Sequence, residues 1–192
     1  MKEDTAQHIL DVAQDLLRQR GYSAFSYADI AAQVGVRKAS IHYHFPTKEE
    51  LVKALVQRYR DRFHQQRQHI QQTVPAAGAQ LMQFAQLYRA GLAEGQICLC
   101  GMLTADFEVL SQAVRTVVQA FWADNEAWLA AVLTRGQAAG VLTCRSAVAA
   151  EAQRVLAILQ GAQLMARVAG AQAPRVFDQI VQPLWADLGC DR

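Results

Sequence analysis

The chain has 192 residues, is 52% hydrophobic and carries a formal net charge of +2. That length and apolar content support a buried core in one medium domain or two small ones, while no apolar run approaches the roughly 20 residues that would cross a bilayer. Four cysteines, at 98, 100, 144 and 190, show no framework spacing, so free thiols are expected. The start, Met1-Lys2-Glu3-Asp4, leads straight into an amphipathic segment instead of a secretory leader, and a cytoplasmic location is expected.

Charge is unevenly placed. Residues 1–72 hold 11 Lys/Arg against 8 Asp/Glu, whereas residues 73–192 hold 8 against 9. Between Ile30 and Lys48 there is no acidic residue, yet Arg37, Lys38, His42, His44 and Lys48 all fall there. A short basic surface is expected in that stretch.

Strand signals are scarce and helix formers dominate, so the fold class is all-α. In the first segment Ile9, Val12, Ala13, Leu16 and Leu17 fall on one helical face. Asp4 or Thr5 suits its N-cap and Gly21 the left-handed residue that ends it. Ser26-Tyr27-Ala28-Asp29 then reads as a capping box opening a short helix that buries Ile30, Ala31 and Val34 and stops at Gly35. A third helix runs from about Lys38 to His44, with Ile41 and Phe45 inward, and Pro46 closes it. Thr47-Lys48-Glu49-Glu50 is a second capping box; it launches a long helix through residue 72 whose later, polar part is expected to connect two packed units. Val74–Gly78 carries turn chemistry. Beyond it, helices are expected at about 76–93, 101–109, 111–137, 146–170 and 174–188, giving about nine in all, in a domain of residues 51–192 distinct from one of residues 1–50.

Two short helices joined at Val34-Gly35-Val36 make the helix-turn-helix plan, in which the second helix enters the DNA major groove and the first braces it. With Ile41 and Phe45 inward, Lys38, Ala39, His42 and Tyr43 take the outward face. Lys48, in the first turn of its helix, joins backbone N–H groups that already favour phosphate, and Arg37 is placed to reach phosphate. No Gly-rich phosphate loop, metal-spaced histidine pair or nucleophile elbow is present, which argues against an enzyme and against a resident metal or cofactor.

The run from Ser26 to Leu51 resembles the DNA-binding signature of TetR/AcrR-family transcriptional regulators: Asp29-Ile30-Ala31, the Gly35-Val36 turn, Tyr43-His44-Phe45 ending the recognition helix, and Thr47-Lys48-Glu49 starting the fourth. The resemblance covers about residues 5–63. His42 departs from the tyrosine usual in the family, pointing to an altered operator preference. The resemblance implies that Lys38, Ala39, Ser40, His42 and Tyr43 sit in the groove, and that Tyr27, His44, Thr47 and Lys48 contact the DNA backbone or brace the reader; His44 equally suits a packed, hydrogen-bonded histidine. It further implies a repressor released from a palindromic operator by a small-molecule effector, and a C-terminal bundle that dimerises through its last two long helices. In these, Val155, Leu159, Ala162 and Met165, small Ala157 and Gly161, and Phe177, Val181, Leu184 and Leu188 serve either a partner or the chain's own core.

For the effector pocket the candidates are Phe84, Tyr88, Cys100, Met102, Phe107, Phe121, Trp122, Asn125 and Trp128. Cys98 and Cys100 adjoin a helix start, where free N–H groups lower a thiol pKa. That makes them candidate sensors of oxidants or electrophiles; the alternative is inert packing, with zinc binding a third reading that would need Cys144 or Cys190 to join them.

Overall fold

A computed structural model describes residues 2–190, with side chains from Asp4 onward. Its helices are α1 (Lys2–Arg20), α2 (Tyr27–Val34), α3 (Lys38–His44), α4 (Lys48–Thr73), α5 (Ala77–Arg89), α6 (Leu99–Ala105), α7 (Gln112–Ala138), α8 (Val148–Arg167) and α9 (Ala173–Leu188). Short 3-10 turns follow α5, α6 and α8, and there is no strand among the described residues. Also among the described residues, no helix is long and apolar enough to cross a membrane.

Local chemistry sets the boundaries. Ser26 Oγ accepts from Asp29 N while the Asp29 carboxylate accepts from Ser26 N at 2.8 Å, which completes the first capping box. Gly35 ends α2 at φ +76°, where its N–H reaches Ala31 O, a conformation that a side chain disfavours. At the start of α4, Thr47 Oγ1 accepts from Glu50 N at 3.1 Å and Glu50 returns a bond to Thr47 N at 3.3 Å. The first helix differs from expectation. It begins at Lys2, so Asp4 and Thr5 both carry helical backbone and neither caps it; an Asp within the first turn still suits the positive end of a helix.

The chain forms two compact units. One holds residues through Asp61 together with Cys98–Phe121; the other holds Arg62–Ile97 together with the chain from Trp122. The division falls inside α4, not at Val74–Gly78, and it returns α6 and the start of α7 to the first unit. What joins α6 to the first unit is packing: Leu99, Cys100 and Leu103 are buried and α6 lies on α1.

In the first unit α1 buries Ile9, Ala13, Leu16 and Leu17 against α2 and α3, which contribute Tyr27, Ile30 and Ile41. Ala31, Val34 and Phe45 are only half-buried. In the second unit α8 and α9 pack along each other as a hairpin and α5 lies on both. Their core is Leu81, Phe84, Tyr88, Val155, Leu159, Phe177, Val181 and Leu184.

Candidate nucleic-acid interface and effector unit

The recognition helix α3 is anchored by one residue, Ile41, which is fully buried. Lys38, Ala39, His42 and Tyr43 are exposed on the other side, with Tyr43 68% accessible, and Ser40 is half-buried. Arg37 stands exposed at the N-cap with no side-chain capping bond. An exposed aromatic this large, between two histidines and unneeded for the core, is placed to touch base edges and phosphates.

The other positions named from the sequence are engaged within the unit. Tyr27 is buried and its hydroxyl donates to Phe45 O at 2.8 Å, tying α2 to the end of α3. Burial, helped by the negative Glu50, pushes this phenol up to about 12. His44 is half-buried with its ring edge-on to Tyr43 at 5.2 Å. Thr47 caps α4.

Lys48 turns inward. Its Nζ donates to Tyr22 O at 2.6 Å and Phe25 O at 2.7 Å, and lies 4.4 and 4.3 Å from the centroids of the Tyr22 and Phe25 rings. Burial pulls its pKa down, with the charges of Asp106 and Asp29 opposing that. The same connection is held from the C-cap of α6: Asp106 accepts from Tyr22 N at 2.9 Å and from Ser23 Oγ at 3.5 Å. A Cβ on Gly21, whose φ is +89°, would meet the Met102 methyl at 3.2 Å. The α1–α2 connection is therefore clamped by a cation on one side and a carboxylate on the other. Asp106 carries no sequence signature, since its partners lie more than 80 residues away.

The capping box has a pH consequence. Asp29 is held below its ordinary carboxyl value of 3.8, first by the Ser26 side-chain bond and then by the Ser26 backbone bond, with Arg20 assisting. A lowered folded pKa means that the contribution to stability is present above the unfolded value and lost as pH falls through the folded one. Asp29→Asn is expected to lower stability at neutral pH and to flatten its decline below about pH 4. Urea midpoints measured from neutral pH into the acid range check this, and parallel declines for both proteins would count against it.

In the second unit Phe84 stacks on Trp128 at 5.2 Å and packs on Tyr88 at 5.6 Å, and Phe63 meets Tyr88 edge-on at 6.1 Å. Asn125 is fully buried and accepts from the buried Arg67, and Gln163 donates to Tyr88 O. Trp122 is half-buried. Trp128 Nε1 and both amide atoms of Gln160 are buried without a hydrogen-bond partner among the described residues. Thus Phe84, Tyr88, Asn125, Trp122 and Trp128 share one unit. Cys100, Met102, Phe107 and Phe121 belong to the other, where Phe121 packs on Tyr59 at 5.5 Å and Phe107 under Arg115 at 5.2 Å. Arg67, Gln160 and Gln163 escaped sequence reading, because polar residues on a long helix ordinarily signal a solvated face.

A family model described as bacterial regulatory proteins of the tetR family matches residues 9–55, from within α1 to early α4. A TetR-family transcriptional regulator from Agrobacterium tumefaciens has the same fold across 98% of this chain and 99% of its own, with 33% identity and a TM-score of 0.92. The chain belongs to the TetR family. The transcriptional repressor DhaR of Mycobacterium sp. (strain GP1) is 31% identical over 57% of this chain, an alignment that spans little more than half of DhaR, 56%. The Escherichia coli (strain K12) repressor NemR is 25% identical over 90% of this chain and 89% of its own. These relatives regulate transcription, and this TetR-family member is a regulator, not an enzyme.

The thiols of this regulator differ from expectation. Cys98 caps α6 and Cys100 lies in its first turn, as read, but both are completely buried. Burial pushes Cys98 up despite bonds from the Gly101 and Cys100 backbone and a side-chain bond with Tyr59. Cys100 is raised well above its ordinary value, first by burial and then by Cys98. Desolvation outweighs the helix end because a thiolate there has lost nearly all its water. N-ethylmaleimide at neutral pH is expected to label Cys144, which is partly exposed, well before Cys98 or Cys100. Mass spectrometry of the timed reaction checks the order, and early labelling of Cys98 or Cys100 would contradict it. Among the described residues no cluster of three or more His, Cys, Asp or Glu could hold a metal ion.

Proposed function

We propose that this TetR-family regulator is a cytoplasmic homodimeric repressor that reads a palindromic operator through α3 and leaves it when a small molecule binds in the second unit. The observation that carries the reading is the outward face of α3: Lys38, Ala39, His42 and Tyr43 are exposed around a single buried anchor, with Arg37 at the helix start and Ser40 at its edge. In this reading Lys38, Ser40, His42 and Tyr43 face base edges and phosphates, while Tyr27, His44, Thr47 and Lys48 hold the helix at its working angle. One such helix spans too few base pairs to be selective, so two are needed, with half-sites centred roughly 34–36 Å or a multiple apart.

For the dimer, Val155, Leu159 and Ala162 of α8 and Phe177, Val181, Leu184 and Leu188 of α9 are used inside the chain. What remains is a stripe of Ala157, Gly161, Leu164 and Met165 on α8 with Val168 at its C-cap; Val168 is 92% exposed, and a Cβ on Gly161 would meet nothing within 4 Å. An apolar stripe with a small residue at its centre suits close approach of a second copy. For the effector, the cluster of Phe84, Tyr88 and Trp128 offers an apolar wall with the unsatisfied Trp128 N–H as a donor. An unmade bond of this kind generally costs about 1–3 kcal/mol, which a ligand acceptor would recover. Helix α4 supplies residues to both units, so it is the continuous element through which a coupling of about 1–3 kcal/mol would release DNA. Release through Cys98 or Cys100 is the weaker route, since the attacking thiolate is suppressed in the folded unit.

Gel shifts with the DNA upstream of the chain's own gene, together with light scattering, test the reading. Expected are a shifted palindromic fragment and a dimer. No shift at low salt, or full affinity as a monomer, would refute it. Tyr43→Ala is expected to weaken operator binding with helicity unchanged, by circular dichroism alongside titration.

A further inference from the structure

Resting on the operator reading above, we infer that His42 is a specificity-determining residue that offers the bases a hydrogen-bond acceptor and no donor. His42 is exposed on α3, one turn after Lys38. Its Nδ1 lies 3.2 Å from Pro46 O, and its ring leans on Tyr27 with centroids 4.7 Å apart. A carbonyl oxygen can only accept, so the hydrogen of this bond belongs to Nδ1. An uncharged imidazole has a single ring hydrogen. With Nδ1 holding it, Nε2 is left as a bare lone pair, and the 1,3 arrangement of the ring turns that atom away from Pro46. Tyr27 is itself fixed by its bond to Phe45 O, so the surface under the ring is rigid. The Pro46 carbonyl, between α3 and α4, thus selects the tautomer, and the tilted Tyr27 ring at the start of α2 holds the imidazole with its acceptor turned away from Pro46.

The consequence is chemical. In the major groove adenine N6 and cytosine N4 donate, whereas guanine O6 and N7 and thymine O4 accept. A bare Nε2 pairs with the first set and meets a lone pair in the second; it is equally ill-suited to phosphate oxygens. His42 therefore favours adenine or cytosine over guanine or thymine on the strand it faces, at one position in each half-site. A single neutral hydrogen bond gives a preference of roughly 2–10-fold.

The test has two readouts. Nitrogen-15 NMR of the histidine rings at about pH 8, where imidazole is generally uncharged, is expected to show His42 protonated at Nδ1 and bare at Nε2. Selection from a randomised operator pool at the same pH is then compared for wild type, His42→Phe and His42→Gln. Phenylalanine keeps the ring against Tyr27 but has no acceptor, and the adenine or cytosine preference at that position is expected to vanish while preferences elsewhere persist. Glutamine restores an acceptor and is expected to restore selection of adenine. A ring protonated at Nε2, or identical base preferences in wild type and His42→Phe, would overturn the inference while leaving operator binding intact. No enrichment of any sequence by wild type would instead overturn the operator reading on which it stands.

Discussion

Replacing Lys48 with methionine is expected to cost about 2–4 kcal/mol of folding stability, a large share of what a domain of this kind generally has. The ammonium satisfies the carbonyls of Tyr22 and Phe25 and lies over both of their rings. Hydrogen bonds from a charged donor contribute about 1.5–3 kcal/mol each, and cation–π contacts about 0.5–2; the half-buried setting, open to water on one side, brings the total below their simple sum, to about 2–4 kcal/mol. Methionine keeps the apolar stem and removes only the charge, so the loss reports the clamp and not a cavity. Asp106 is left beside the Tyr22 amide with its neighbouring cation gone. Urea unfolding measures the loss, and operator titration across salt separates the two roles open to this residue. A brace lowers unfolding free energy and weakens operator binding with the salt slope unchanged. A phosphate hand leaves stability within about 0.5 kcal/mol of wild type and reduces the slope by about 1.

The features readable in the sequence were those whose causes lie within a few residues. Ser26 and Asp29, Thr47 and Glu50, and Gly35 each set a helix end through partners at most four positions away, and α3 accordingly runs from Lys38 to His44 as the local signals indicate. The outward face of α3 followed from the same logic, since one inward residue fixes the rest of a seven-residue helix. Lys48 shows where that logic stops. Its helix-start position suggests an anion site, yet carbonyls 23 and 26 residues back in the chain take the charge. The thiols of Cys98 and Cys100 fail in the same way. A helix start lowers a pKa only where water or a counter-charge remains, and burial under α1 and the rest of the first unit is a tertiary fact. The grouping of residues 98–121 with the DNA-reading helices is tertiary too.

The other large effect is expected in the second unit, with Arg154→Met. Glu151 is fully buried in the first turn of α8, where its carboxylate accepts from Arg154 Nε at 2.6 Å and from Ser146 Oγ at 3.1 Å. The guanidinium of Arg154 also reaches Asp187 of α9, which Arg145 holds as well. Burying a carboxylate is costly unless it stays paired, and deleting one partner of such a pair generally costs about 3–5 kcal/mol. Arg154 is about a third exposed, so water entering beside the shorter side chain places the loss near 3 kcal/mol. The double variant Glu151→Leu with Arg154→Met removes both charges and should recover most of it, because a buried pair replaced by apolar groups is often neutral. A double-mutant cycle in urea gives the coupling directly; equal losses in the single and double variants would mean that Glu151 finds another partner or water. Since α8 carries most of the proposed dimer surface and packs along α9, the single variant should also dissociate at higher protein concentration and bind the operator more weakly, and the double variant should regain both. Restored folding without restored dimerisation would place the Arg154–Asp187 link, and not Glu151, in control of how the hairpin presents its outer face.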